Sequence, residues 1–263
     1  MARAKDEQDP ATVVPAEAWP RLVVRRGRGR LGGTTALDAS IQLALAAGRN
    51  PIIADSARNP TLSSLYGAAA TKPASDSITD VNEWLMRDVL NTAVEERRPV
   101  ALDMGGGQDQ TLDDFTQHLD LVAFCKDAQL DPVALYPLGP DMDDFEHALK
   151  LRDAGYFSPE KVLLVMNEGV LRRGEDPHGA FGQIRQHPEF LSWVKAGAKP
   201  IYMRSLAALP DIRKLGLSLN EAAKDQPAPD GRKLGYAKAW MTRAWLRDFE
   251  AGIAEAGAVD WLL

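Results

Sequence analysis

Cysteine and histidine are scarce in this 263-residue chain, which contains one cysteine, Cys125, and four histidines. One cysteine excludes an internal disulfide, and the histidines show no ligand spacing, so the sequence predicts no zinc site. We expect Cys125 to be a buried apolar residue of a helix rather than a reactive thiol. This cysteine usage suits a reducing compartment, and we expect a cytoplasmic protein.

The chain also lacks an apolar run of the roughly 18 residues that a membrane span requires. Its first ten residues, MARAKDEQDP, contain no apolar signal core, and we therefore expect no stable membrane insertion. Residues 1–18 are polar and contain two prolines, which predicts a flexible lead-in before a single domain over residues 19–263. The net charge of −6 argues against a general nucleic-acid coat.

Short apolar segments alternate with amphipathic helical patterns along the chain. Strands are predicted at residues 22–24, 51–54, 99–102, 133–138, 161–166 and 200–203. Helices are predicted at residues 36–47, 81–97 and 111–128, from an N-cap at Asp141, and at 181–194 with an interruption at Pro188. This alternation predicts an α/β fold with a doubly wound, mostly parallel sheet of about six or seven strands and helices on both faces.

A long amphipathic helix is predicted at the carboxyl end of the sequence, over residues 234–256. Its apolar residues recur at three- and four-residue steps and include Trp240, Trp245 and Phe249. Two interpretations remain open. The helix packs on the sheet, or its aromatic side chains form an anchor for a partner.

A glycine-rich segment, GRGRLGGTT, lies between the first predicted strand and the first predicted helix. A phosphate-binding loop has the form GxxxxGK[ST], in which the lysine reaches the terminal phosphates and the hydroxyl binds magnesium. Gly27, Gly32, Thr34 and Thr35 fit this form, but Gly33 occupies the lysine position. Gly33 keeps a backbone N–H at a helix N-terminus, which favours an anion. The alternative is an empty glycine-rich turn.

Acidic and amide side chains follow several predicted strands, where open parallel sheets bind their ligands. They are Asp55, Asp103 and Asn167. Thr34 and Asp103 suit magnesium as hard oxygen ligands, or else they cap the helix and bond the loop. Gly106 either offers its N–H to a γ-phosphate or makes a tight turn. Asn167 either recognises an adenine edge or ends its strand with an Asx turn.

These segments together resemble the MinD/ParA branch of P-loop ATPases, whose deviant Walker A motif has the form KGGxGKT[ST]. Residues 28–35 fall on that motif, PIIADSARNPTLSSLYG resembles switch I, and RPVALDMGGG resembles Walker B with switch II. KVLLVMN resembles the strand whose terminal Asn recognises the base. IYMRSLAALPDIRKLGLSLNEAA is similar to the base-side segment, which includes Arg204. The resemblance spans residues 20–225.

The resemblance implies that the protein binds ATP or ADP with Mg²⁺. The residues that it assigns to the nucleotide are Gly29, Arg30, Gly32, Gly33, Thr34, Thr35, Gly106, Asn167 and Arg204, and those that it assigns to the metal are Thr34 and Asp103. It implies catalytic roles for Asp55 and for Arg28, which replaces a lysine that reaches across a dimer interface. Ala57 replaces an Asp that helps to position the attacking water.

Hydrolysis is more affected by these departures than binding is. A lost contact to phosphate costs about 1.5–3 kcal/mol, which binding survives. Phosphoryl transfer depends more strongly on cations directed at the developing charge. Arg28 or Arg30 would have to restore the missing cation, because guanidinium groups recognise phosphate well.

The leading hypothesis is an atypical MinD/ParA-like nucleotide switch that dimerises around its nucleotide and is at most a slow ATPase. It would position, partition or transfer DNA or a cellular assembly in a bacterium, as plasmid-partition and conjugal-transfer accessory proteins do. The alternative is a nucleotide-free scaffold that binds a protein partner through its C-terminal helix. A third hypothesis is an efficient ATPase rescued by Arg28 or Arg30. Five arginines within residues 21–30 face nucleotide or DNA phosphate, or form a solvated flank.

Overall fold

The computed structural model describes residues 19–105 and 108–263. Within these ranges seven parallel strands form one sheet, in the order β3-β2-β4-β1-β5-β6-β7. The strands are β1 (Arg21–Arg25), β2 (Ile52–Asp55), β3 (Ala70–Thr71), β4 (Val100–Asp103), β5 (Asp131–Leu138), β6 (Lys161–Asn167) and β7 (Lys199–Met203). The predicted parallel sheet is confirmed. Its one unpredicted strand is β3, a two-residue edge strand too short for an apolar run.

Most helices of the described ranges lie between strands, and the last three follow β7. The helices are α1 (Gly33–Ala46), α2 (Thr61–Tyr66), α3 (Ile78–Trp84), α4 (Thr92–Glu95), α5 (Asp109–His118), α6 (Leu121–Asp127), α7 (Met142–Ala154), α8 (Pro177–Ala180), α9 (Gly182–Gln186), α10 (Pro188–Lys195), α11 (Leu209–Lys214), α12 (Leu219–Ala223) and α13 (Tyr236–Glu255). A π-helical segment, Leu85–Asn91, joins α3 to α4 and continues the same helical path.

Two features interrupt the predicted helices. The helix predicted over residues 111–128 is two helices. The first ends at His118, where Leu119 is extended, and the side chain of Asp120 caps the next by accepting from the N–H of Ala123 at 2.9 Å. Pro188 begins α10 at its first turn, as the predicted interruption requires. Asp141 occupies the N-cap position of α7, although its side chain makes no capping hydrogen bond.

The buried residues form two apolar layers, one on each face of the sheet, as predicted. Successive strand residues point to opposite faces, so Leu22 and Val24 of β1 join one layer while Val23 joins the other. Helices α3, α5, α6, α7 and α10 cover the first layer, and α1, α11, α12 and α13 cover the second. This alternation also sends the last two basic residues of the strand region, Arg25 and Arg26, to opposite faces.

The aromatic residues of α13 divide between the core and the surface. Trp245 and Phe249 are buried and stacked with ring centroids 5.6 Å apart, whereas Trp240 is 54% exposed. The helix therefore packs on the sheet, and a partner anchor made of all three aromatic residues is wrong. Cys125 is fully buried in the first layer, as expected. No helix of the described residues is long and apolar enough to cross a membrane.

Candidate functional site

A cleft of about 840 Å³ opens where the glycine-rich loop leaves β1 and enters α1. Strand β1 lies between β4 and β5. The chain runs from β1 to β2 on one side of it and later crosses from β4 to β5 on the other, and open parallel sheets bind ligands at such a switch point. The predicted nucleotide residues that line the cleft are Gly29, Arg30, Gly32, Gly33, Thr34 and Thr35. Residues 57–61 of the predicted switch I line the opposite wall.

The floor of the cleft is the N-terminus of α1. Gly32 is the N-cap with φ of 82°, and Gly27 and Arg30 also have positive φ, at 102° and 66°. Gly32 has no side chain to cap the helix, and the first turn contains no acidic residue. The first N–H groups of a helix lack intrahelical acceptors, so this end attracts an anion.

Asn167 holds the glycine-rich loop by a hydrogen bond from outside the cleft. Its Nδ2 donates to the Leu31 carbonyl at 2.9 Å, and its Oδ1 accepts from the Gly169 N–H at 2.8 Å, which makes the Asx turn. Both ends of the amide are thus bonded within the protein, and Asn167 does not line the cleft. Asn167 would have to release a bond to read a base. Arg204 is also outside the cleft, where it pairs with Asp248 at 3.0 Å.

Thr34 and Asp103 lie together beside the floor of the cleft. The Thr34 hydroxyl donates to Asp103 Oδ2 at 2.6 Å, and Asp103 Oδ1 accepts from the Gly105 N–H at 2.9 Å. These hard oxygens fit magnesium, which binds few protein groups and keeps several waters and phosphate oxygens. Thr34 lines the cleft directly, whereas Asp103 is 1% exposed behind it. Thr34 would hold the ion, and Asp103 would hold it through water.

Asp55 is buried and supports the turn after β2. Its carboxylate accepts from the N–H groups of Ala57 at 3.1 Å and Ser63 at 2.8 Å. Burial raises the pKa of Asp55 above its ordinary value, the Ser63 N–H opposes that rise, and the charge of Asp103 adds to it. Asp55 does not line the cleft, so its catalytic role stays a prediction.

The two predicted switch segments touch next to the cleft. A Cβ atom added to Gly105 would lie 2.7 Å from the Cβ of Ala57, so the backbones pack closely at this point. Gly105 also has φ of 62°, which favours glycine. The next residue, Gly106, was predicted to meet a γ-phosphate, and it lies outside the described residues.

Arg28 points away from the cleft toward α7. Its Nη1 lies 3.3 Å from Asp144 and 4.0 Å from Asp143, and half of the side chain is exposed. Arg28 is therefore not the cation of the cleft within this chain. A role across a dimer interface stays a prediction.

Most of the basic run is inside the protein. Arg21 pairs with Asp131 at 3.3 Å, and Arg26 is fully buried between Asp109 and Asp113, at 3.4 and 2.5 Å. Only two of the five arginines, at positions 28 and 30, are exposed. A DNA contact through this run would rest on those two side chains.

Arg25 occupies the space above Gly33. The two residues are close because Arg25 ends β1 on the face that α1 covers. A Cβ atom added to Gly33 would overlap the Arg25 side chain, with Cγ at 2.8 Å and Nε closer still. Arg25 Nη2 donates to the Arg28 carbonyl at 2.6 Å, and Nη1 lies 3.8 Å from Asp103 Oδ1.

A polar cluster connects α1 to two neighbouring helices. Asp38 is fully buried and accepts from the Tyr66 hydroxyl at 2.7 Å, from Arg213 Nη1 at 2.9 Å and from Gln42 Nε2 at 3.4 Å. Burial first, and then the charge of Asp38, raises the pKa of Tyr66 above its ordinary value. The cluster orients Arg213, which lines the cleft and lies 3.5 Å from the Thr35 hydroxyl.

Arginine side chains line much of the cleft. Its lining includes four arginines, Arg25, Arg30, Arg58 and Arg213, and among the described residues that line it there is no carboxylate. Arg30 was predicted as a nucleotide residue, Arg25 only as part of the basic run that faces phosphate or solvent, and Arg58 and Arg213 were not predicted. Alternation along β1 was a signal for Arg25, since Val23 and Arg25 share a face. Nothing local indicated Arg58 or Arg213, which reach the cleft through a loop and through α11.

Comparisons with known proteins give a likeness among solved structures. No family model and no curated protein matches the chain. Among solved structures, an ATP complex of a variant of the Cyanothece protein McdA matches with a TM-score of 0.50 and 14% identity, over 94% of this chain and 99% of that chain. The chain has the fold of McdA. The predicted doubly wound α/β architecture is confirmed by the sheet and by this likeness.

Proposed function

We propose that the protein is a MinD/ParA-like nucleotide switch that binds ATP or ADP with Mg²⁺ in the cleft above α1. The observation that supports it is the composition of this cleft: four arginines and a helix N-terminus face a space without carboxylates. A ligand with several negative charges suits this lining. The McdA structure with the same fold was solved with ATP, which favours a nucleotide over another polyanion.

Mg²⁺ belongs to this proposal through Thr34 and Asp103, whose oxygens lie 2.6 Å apart beside the phosphate end of the cleft. When bound, the ion would neutralise phosphate charge. Thr34 supplies a hydroxyl, Asp103 supplies a buried carboxylate, and the Gly105 N–H keeps that carboxylate oriented. Asp103 ends β4, Gly105 follows it by two residues, and Thr34 lies in the first turn of α1, so the packing of α1 against the sheet fixes the separation of Thr34 and Asp103.

Hydrolysis is slow or absent in this proposal. Position 57 of switch I is an alanine instead of an acidic residue. The carboxylate of Asp55 already accepts hydrogen bonds from two backbone N–H groups. A water would therefore lack a positioned base in the described part of the switch segments. We propose that nucleotide binding itself changes the oligomeric state to a dimer and so controls the positioning, partition or transfer of DNA or a cellular assembly.

Titration calorimetry with ATP and with a non-hydrolysable analogue, each with and without Mg²⁺, tests the proposal. We expect binding of both nucleotides, tighter with the metal, and a nucleotide-dependent shift to a dimer in light scattering. The Arg87→Ala variant is the matched control, because Arg87 is an exposed arginine that does not line the cleft and pairs with Glu83. Absence of binding of either nucleotide at millimolar concentration would overturn the proposal.

A nucleotide-free scaffold is the second candidate, and the exposed end of α13 favours it. Tyr236, Trp240 and Met241 are 75%, 54% and 40% exposed near one end of this helix. Clustered exposed aromatic residues are typical of binding surfaces. An oligomeric state that ATP leaves unchanged would favour the scaffold.

A further inference from the structure

Arg25 is a buried cation with unused hydrogen-bond donors. Its side chain is 3% exposed, and its Nε and Nη1 have no hydrogen-bond partner among the described residues. Only Nη2 is satisfied, by the Arg28 carbonyl at 2.6 Å. Asp103 Oδ1, at 3.8 Å from Nη1, balances part of the charge but is too distant for a hydrogen bond. Buried donors without an acceptor cost free energy, so an acceptor that enters the cleft is favoured.

Arg25 stands where the side chain of a P-loop lysine would begin. It overlaps the position of a Cβ atom at Gly33, and both residues line the cleft. The sequence separates the two residues by a whole loop, yet the sheet and α1 bring them into contact. A glycine at position 33 is therefore what allows Arg25 to lie at the floor of the cleft.

We propose that Arg25 is the phosphate-binding cation of this site and replaces the lysine that the loop lacks at Gly33. This inference rests on the proposed nucleotide-binding function and adds the residue that makes phosphate binding effective without the lysine. Guanidinium presents several N–H groups in a fixed plane and binds phosphate oxygens in pairs.

The other arginines are less suited to this role. Arg28 is paired with Asp144 outside the cleft, and Arg30 and Arg58 are exposed and pay more entropy when they are ordered. Arg213 already donates to Asp38. Arg25 alone among the cleft arginines is buried and held in place before a ligand arrives.

The contact between Arg25 and Gly33 makes the two cations mutually exclusive. Gly33→Lys places a side chain where Arg25 lies, so this single change is expected to weaken phosphate binding rather than to improve it. Arg25→Ala removes the cation and opens the space. The double variant, Arg25→Ala with Gly33→Lys, supplies a lysine in the opened space and is expected to recover binding.

A double-mutant cycle measured by calorimetry tests this inference, with Mg-ATP and inorganic tripolyphosphate as the two probes. We expect each single variant to bind both probes about 10- to 100-fold more weakly than the wild type, the worth of one charge-assisted contact to phosphate. The double variant should bind about tenfold more tightly than either single variant. Arg87→Ala should bind as the wild type does. If Arg25→Ala does not fold, Arg25→Met, which keeps the apolar volume, replaces it as the single variant, and loss of binding of both probes is then the expected result.

The cycle separates phosphate binding from a purely structural role. If Arg25 only supports the loop through the Arg28 carbonyl, the double variant binds no more tightly than either single variant, and the inference is wrong. Wild-type affinity in Arg25→Ala or Arg25→Met also overturns it, while nucleotide binding stands. Conversely, the wild type could bind tripolyphosphate through Arg25 and not bind ATP. That result overturns the nucleotide function, while Arg25 stays the phosphate-binding cation. A wild type that binds neither probe overturns both.

Discussion

Replacing Asp38 with alanine should destabilise the fold more than most single changes, because a fully buried carboxylate joins three elements. Asp38→Ala removes the acceptor of two short hydrogen bonds, from Tyr66 at 2.7 Å and from Arg213 at 2.9 Å, and of a longer one from Gln42 at 3.4 Å. Each short bond to a charged group is worth about 1.5–3 kcal/mol. Arg213 is 23% exposed, so water partly replaces its bond, and its share lies at the lower end.

The expected loss of unfolding free energy is therefore about 3–5 kcal/mol. For a chain of this size that corresponds to a fall of about 6 to 20 °C in Tm. Thermal unfolding followed by circular dichroism measures the fall, and Asp38→Asn, which keeps one acceptor, should lose less. A loss below about 1 kcal/mol in Asp38→Ala would refute the reasoning, since it would mean that water satisfies all three donors.

Three further predictions concern the metal, the cysteine and the loop. Thr34→Val should weaken Mg-ATP binding about tenfold and abolish its dependence on magnesium. Thr34→Ser keeps the hydroxyl and should keep the affinity and the magnesium dependence. Unchanged magnesium dependence of Thr34→Val in calorimetry would remove this residue from the metal site. Burial raises the pKa of the Cys125 thiol from 9.0 to about 12. The buried, protonated thiol therefore contributes to stability below pH 9.0, and this contribution is lost as the pH rises toward about 12. In urea denaturation, the unfolding free energy of Cys125→Ala should fall less steeply across that range than that of the wild type. An equally steep decline in both proteins would contradict the assignment. Gly32→Ala should lower the free energy of unfolding by about 2–4 kcal/mol, because the new Cβ atom would lie 2.9 Å from Met203 on a residue whose φ is positive. Gly48→Ala, where φ is 75° and no atom lies within 4 Å of the new Cβ, should lower the free energy of unfolding by only about 1–2 kcal/mol. Equal urea midpoints for the two variants would show that the packing around Gly32 adds nothing.

The architecture was readable from the sequence because its signal is local. Apolar runs such as residues 133–138 and 161–166 are buried on both faces of a parallel sheet, and this burial requires continuous apolar character. Where the local signal fails, the reason is also physical. The two residues of β3 are too few to form a pattern, and the break at Asp120 depends on a cap that resembles an ordinary surface aspartate.

The glycine-rich loop and its position between β1 and α1 were also readable, since glycine spacing and a hydroxyl at a helix start are requirements of phosphate binding. The binding roles of its residues stay predictions. Thr34 and Asp103 come together at 2.6 Å because strand ends of a parallel sheet lie on one edge. The predicted roles of Asn167 and Arg204 have no counterpart in the cleft lining, because these two residues bond to other parts of the chain.

The sequence by itself determined the sheet, the loop and the absence of a lysine at position 33. It did not determine which arginine compensates, and the two arginines that it favoured, at positions 28 and 30, point out of the protein or are exposed. Only the tertiary structure decided that Arg25 lies against Gly33. The physical reason is that strand alternation and the packing of α1 fix the direction of a buried side chain, whereas the spacing of residues along the chain does not.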